Sequence, residues 1–177
     1  MSHTMRTVLK SMARLAAAQA ELAVLRRDET FAPKLFPPAT KGELKTLASR
    51  VGAPLPRSYR AFLSVSNGWD SFNGSARLLS TSDRDQDWFT SRLKQIQEHL
   101  AEFDRPPIPP SALIVMLGLE EPDFAFIDLY DPATGDERAV THLDLIEGTL
   151  GHYPSFLAYL NAERKTIRDL IHDALGD

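Results

Sequence analysis

The sequence predicts an α+β fold, an antiparallel sheet of about four to six strands covered by helices. Helical patterning fills the first part of the chain, strand signals joined by turns follow, and one long helical pattern closes it. Segregation of this kind differs from the alternating βαβ order of a parallel sheet. The turn signal Asp131-Pro-Ala-Thr-Gly-Asp136 leaves room only for an antiparallel return between the runs that flank it. No self-similar repeat of the solenoid or propeller kind is present.

The elements follow in order. Met5, Val8, Leu9, Met12, Leu15, Ala16, Leu22 and Leu25 recur near helical spacing, and Arg26-Arg27 sit where cations suit a helix C-terminus. Residues 1–30 are therefore expected to form an N-terminal helical extension, and residues 31–177 the main domain. Phe31 to Thr40, with three prolines, reads as an extended linker. Thr40-Lys41-Gly42-Glu43 is a capping-box pattern that opens a helix with Leu44, Leu47, Ala48 and Val51 on one face and Gly52 at its end. Pro56 suits the first turn of the next helix, which Tyr59, Phe62 and Leu63 line and Asn67-Gly68 ends.

A short strand is expected at 76–80, then a helix from an N-cap at Ser82 to about Phe103, with Trp88, Phe89, Leu93, Ile96 and Leu100 at three-to-four spacing. Arg105-Pro-Pro-Ile-Pro-Pro110 interrupts regular structure. Strands are expected at 112–117, 124–130 and 138–142, the second apolar on both faces. A last helix is expected from Tyr153, with Pro154 in its first turn, to about Leu175.

Composition narrows the chemistry. At 177 residues and 43% hydrophobic the chain is long enough to bury its own core. It has no cysteine, which excludes disulfides, thiolate metal sites and thiol nucleophiles. No stretch approaches the roughly 18 apolar residues of a membrane span, and Gln19 and Glu21 interrupt the first apolar run too soon for a secretory signal. The net charge of −4 hides an asymmetry: residues 1–60 hold eleven Lys/Arg against four acids, whereas within 98–147 only Arg105 and Arg138 oppose twelve carboxylates. That distribution disfavours nucleic acid as the partner and favours a basic protein for the later part.

Motifs that would carry catalysis are missing. Asp83, Asp85 and Asp87 open like a calcium loop, but Trp88 and Lys94 stand where its glycine and glutamate belong, so they read as an acidic first turn. There is no phosphate-binding glycine loop, no nucleophile elbow and no paired-histidine motif. His3, His99, His142, His152 and His172 each read as surface or capping residues. No catalytic residue, cofactor or metal ligand is therefore nominated, and the expectation is that the protein is not an enzyme.

One stretch is more specific. Leu55-Pro56-Arg57-Ser58-Tyr59-Arg60-Ala61-Phe62-Leu63, followed by Asn67-Gly68, resembles the signature of the SUKH superfamily, the Smi/Knr-type proteins. Gly52 before the Leu-Pro pair, Ile127-Asp128-Leu129, and Ser155-Phe156-Leu157 with Tyr159-Leu160 extend the likeness from about Phe36 to Leu160. Two departures stand out: Trp69 replaces a second glycine after Asn-Gly, and Glu120-Glu121-Pro122-Asp123 replaces a glycine-rich approach to the Asp-bearing strand. Physically, Leu55, Pro56, Tyr59, Phe62, Leu63, Asn67 and Gly68 read as residues that build the fold.

The resemblance implies a cytoplasmic bacterial immunity protein that binds and neutralises a cognate toxin. The alternative it implies is a regulatory or scaffolding module for an endogenous protein, as in the fungal cell-wall-synthesis regulators. The acid excess fits the first, with a basic enzyme such as a nuclease as the toxin. Returning from the hairpin, the chain would bring Asp144 and Glu147 back beside Glu120, Glu121 and Asp123, so these five residues are expected to form one negative partner-binding edge.

Overall fold

The structure, a computed structural model, describes residues 1–120, 122–131 and 135–176. Its sheet has seven strands, more than the four to six expected: β1 Lys34–Leu35, β2 Trp69–Asp70, β3 Ala76–Leu78, β4 Ala112–Gly118, β5 Asp123–Asp128, β6 Val140–Asp144 and β7 Gly148–Tyr153. Strand order equals chain order, and every neighbouring pair is antiparallel. The α+β class and the antiparallel sheet are as the sequence predicts.

β4 and β5 lie at the centre and are apolar on both faces, so each face needs its own cover. One face, with Leu113, Val115, Met116, Ala125, Ile127 and Val140, packs on helices α1 (His3–Arg26), α2 (Lys41–Val51), α3 (Arg57–Leu63) and α5 (Phe156–Leu175). The other, with Ile114, Leu117, Phe124 and Phe126, meets the single helix α4 (Asp87–Glu102) through Phe89, Ile96 and Leu100. A β-bulge between Ile114 and Met116 shifts the alternation of β4, which is why Leu113 and Met116 share a face despite their odd spacing.

Local chemistry sets the helix ends. At α2 the capping box is complete: Glu43 N–H donates to Thr40 Oγ1 at 3.2 Å, and Thr40 N–H donates to Glu43 Oε2 at 2.7 Å. That backbone hydrogen bond, with the Thr40 hydroxyl second, holds the Glu43 carboxyl below the usual range. α3 begins at Arg57 with Pro56 at the cap position, where no side chain of its own serves it. Glu137 does so from across the molecule, accepting from Ser58 N–H at 3.0 Å and from Ser58 Oγ at 2.6 Å.

Gly68 follows, at φ 110°, where a Cβ would lie 2.8 Å from the Phe36 ring and 3.1 Å from the Leu78 carbonyl oxygen, so only glycine fits. Asn67 clamps the same corner: its Oδ1 accepts from Thr81 N–H at 2.8 Å, and its Nδ2 donates to Thr81 Oγ1 at 3.0 Å.

Two helix starts move from their expected places. Ser82 does not cap α4. A 3-10 turn occupies Asp83–Asp85, and α4 begins at Asp87. The turn is fixed because Asp83 is buried and accepts from Ser80 N–H at 2.7 Å, while Asp85 pairs with Arg50 at 2.6 Å. Likewise Tyr153 and Pro154 precede α5, whose cap is Ser155, accepting from Ala158 N–H at 3.1 Å. Tyr153 belongs instead to β7.

α1 packs chiefly against α5 and also against α3. It contributes Val8, Met12, Leu15 and Leu22 to the larger core. Ser11 donates to Asn161 at 2.6 Å, and Arg168 pairs with Glu21 at 2.9 Å.

Tyr59, Phe62 and Phe156 form a fully buried aromatic knot where α3 meets α5, with ring centroids 5.0 Å (Tyr59–Phe156) and 5.1 Å (Phe62–Phe156) apart. Phe62→Ala should therefore lower stability by about 3–5 kcal/mol, read as a fall in the urea midpoint at unchanged m. A variant that keeps the wild-type midpoint but loses partner binding would instead make this motif an interface.

Candidate functional site

The residues expected to form the acidic edge lie on two segments that the sheet brings together. β5 and β6 set Asp123 directly opposite Asp144. Beyond them, Leu145 N–H donates to the Pro122 carbonyl at 3.0 Å, which ties the loop before β5 to the turn after β6. Glu120 on that loop and Glu147 on that turn are exposed. Glu121 lies outside the described residues.

The five carboxylates do not share one role. Asp144 Oδ1 accepts from Ile146 N–H at 2.7 Å and Glu147 N–H at 2.8 Å, and so closes its own turn. Asp123 turns inward: its Oδ2 accepts from His142 Nε2 at 3.2 Å, and its side chain is only 14% exposed. Near the hairpin turn, the Glu137 carboxylate is spent on the start of α3, while Asp136 meets Arg57 N–H only through its backbone carbonyl, at 2.8 Å, and is exposed. Of the five, among the described residues, Glu120 and Glu147 are exposed, and Asp144 is committed to its own turn.

Behind that edge lies a feature the sequence reading missed. His142, expected as a surface or capping residue, is buried between two carboxylates, with Nε2 on Asp123 and Nδ1 3.5 Å from Glu163 Oε1. Glu163 is itself 4% exposed and accepts from Asn73 Nδ2 at 3.3 Å. The Tyr159 ring stands edge-on to the imidazole, at 5.6 Å between centroids.

Burial alone would drive the His142 pKa down. Hydrogen bonds from the imidazole to Asp123 and to Glu163, aided by their charges, outweigh it and raise the value to about 9. His142 is therefore an imidazolium at neutral pH, donating from both nitrogens. At 4% exposure the ring is a buried cation paired with two carboxylates.

Signals for this triad exist. His142 alternates with Val140 on a buried strand face, and Glu163 lies four residues from Tyr159 and four from Ile167 in an apolar helix stripe. Among the described residues no group of three or more His, Asp or Glu is arranged to hold a metal ion. Nor is any described helix long and apolar enough to cross a membrane.

Residues 38–162 match the family model described as the SMI1 / KNR4 family (SUKH-1), a span that runs from just before α2 into the first turns of α5. α1 and the end of α5 lie outside it. No curated protein matches the chain.

The triad makes stability depend on pH. The folded pKa of His142 stands above its ordinary 6.5, so its contribution is complete below about pH 6.5 and is lost as pH rises through about 9. Urea unfolding at pH 6 and at pH 9.5 should differ by about 3 kcal/mol, the lower pH being the more stable. His142→Gln should be destabilised at pH 6, because two buried carboxylates lose their cation, and its profile should flatten between those values.

Proposed function

The chain belongs to the SMI1 / KNR4 family (SUKH-1), and we propose that it is a non-enzymatic immunity protein of the bacterial cytoplasm that binds and neutralises a cognate secreted toxin. Membership supports a protein-binding module of the immunity or regulatory type. The observation that favours the toxin reading is the acidic edge. Glu120 and Glu147 are exposed on two segments that the Leu145–Pro122 bond joins, within a stretch where twelve acids face two arginines. Such a surface accelerates encounter with a basic enzyme, of which a nuclease toxin is an example, and rejects acidic competitors. Blocking the toxin's own surface needs no chemistry from the inhibitor.

The same reading distinguishes immunity from regulation of an endogenous protein. A toxin reading frame beside the gene, and co-purification of its product with this chain, support immunity. Association with a host protein and no toxin in the neighbourhood would support the regulatory alternative.

Association should slow markedly between low and physiological salt, because exposed charges are screened beyond about 8–10 Å. Glu120→Lys combined with Glu147→Lys should lower the association rate by about tenfold with little change in thermal midpoint, measured by stopped flow and calorimetry. Asp123 is left intact in that variant because it belongs to the buried triad. A rate indifferent to both salt and the reversals would retire the acidic edge as the partner's site.

A further inference from the structure

We propose that β7 and the groove beside it take an extended segment of the basic partner as an eighth strand. This inference rests on the reading that the partner is a basic protein. β7 ends the sheet: it pairs with β6 from Val140–Tyr153 to Asp144–Gly148, and among the described residues no backbone hydrogen bond reaches residues 148–153 from any other element. Its outer N–H and C=O groups therefore form an open template.

The two sheet edges differ in how they are guarded. β1 is two residues long and carries Lys34, a short charged edge of the kind that discourages pairing. β7 is six residues long and has neither proline nor Lys, Arg, Asp or Glu. Its one irregularity, a bulge opposite His142 and Leu143, leaves Leu150 without a β6 partner and 44% exposed.

A strand added to β7 would lay every second side chain over the sheet face that α4 covers only in part. There the structure has a groove of about 270 Å³. Phe126, Thr141, Leu143 and Thr149 come from the strands, and Ile108 and Leu100 from the opposite side. Arg105 fixes one end: its Nη2 donates to the Ile146 carbonyl at 3.2 Å, and a Cβ on Gly148, at φ 93°, would come within 3.0 Å of Nη1.

The groove accepts an aliphatic or aromatic side chain, and Ile146, 70% exposed, extends the apolar surface past its end. Charge selects the rest of the occupant. Asp144 lines the groove, Glu147 stands on the adjoining turn, and Glu102 and Asp104 flank the approach to Arg105 in sequence. The segment that fits alternates basic with apolar residues.

The test uses the full chain, labelled with nitrogen-15, and an acetylated heptapeptide alternating lysine with valine and phenylalanine. Saturable shifts should appear in β7, Leu143 and Ile108, and exchange of the outward β7 amides should slow by about tenfold or more. A heptapeptide with glutamate for lysine, and one N-methylated at alternate positions, should show neither effect. Thr149→Arg, at an exposed position on the groove wall, should weaken the lysine peptide by about tenfold at unchanged thermal midpoint.

Equal binding of the glutamate peptide, or shifts at Glu120 and Glu147 with unchanged β7 exchange, would overturn strand addition. Protection of β7 by the lysine peptide, beside a toxin whose association ignores salt and the Glu120 and Glu147 reversals, would keep strand addition and retire the acidic edge. A toxin that responds to those reversals while β7 stays unprotected would do the opposite.

Discussion

A sheet that is apolar on both faces at its centre dictates the rest of this molecule. Phe124 and Phe126 look one way from β5, while Ala125 and Ile127 look the other, and all four are buried. Each such large side chain contributes about 1.5–3 kcal/mol only if something covers it. Four helices answer that demand on one side, but α4 stands alone on the other, with Ile108 of the proline-rich segment filling in beside it. The cover is complete over β4 and incomplete toward β6 and β7. The groove and the exposed last strand are what an unequal pair of layers leaves behind.

The ionic triad sits within the better covered side and has a different role from the apolar contacts around it. Desolvating two carboxylates and an imidazolium is costly, and an apolar replacement of equal volume often stabilises as much. What the charges add is specificity of register. Sliding β6 by one residue would turn His142 to the opposite face, away from both Asp123 and Glu163. Because those partners come from β5 and α5, the same imidazolium fixes a strand against its neighbour and a helix against the sheet.

How much of this was legible in the sequence depended on how local the cause was. Thr40 and Glu43 are three residues apart and make their capping bonds whatever else happens, so α2 was readable. The stripe of α1 and the apolar run of β4 were equally self-contained. β1 and β2 are two residues each and become strands only because a corner at Gly68 lays one beside the other. β7 contains Gly148 and Gly151 and is half-exposed, so neither composition nor alternation marks it. The acidic edge was legible as an accumulation of charge. Its division of labour was not, since Asp123 turning inward and Glu137 capping α3 are set by partners 19 and 79 residues away.

The meander pairs each strand with its predecessor, so the sheet can grow as the chain lengthens, with little loop closure to overcome. The first helix is the exception. α1 packs mainly on α5, and Ser11 waits for Asn161 across 150 residues. Part of the stripe of Val8, Met12, Leu15 and Leu22 can pack on α3, but its contact with α5 waits until all seven strands have been made. Until α5 folds against it, that part of α1 is an exposed apolar stripe of the kind a chaperone covers.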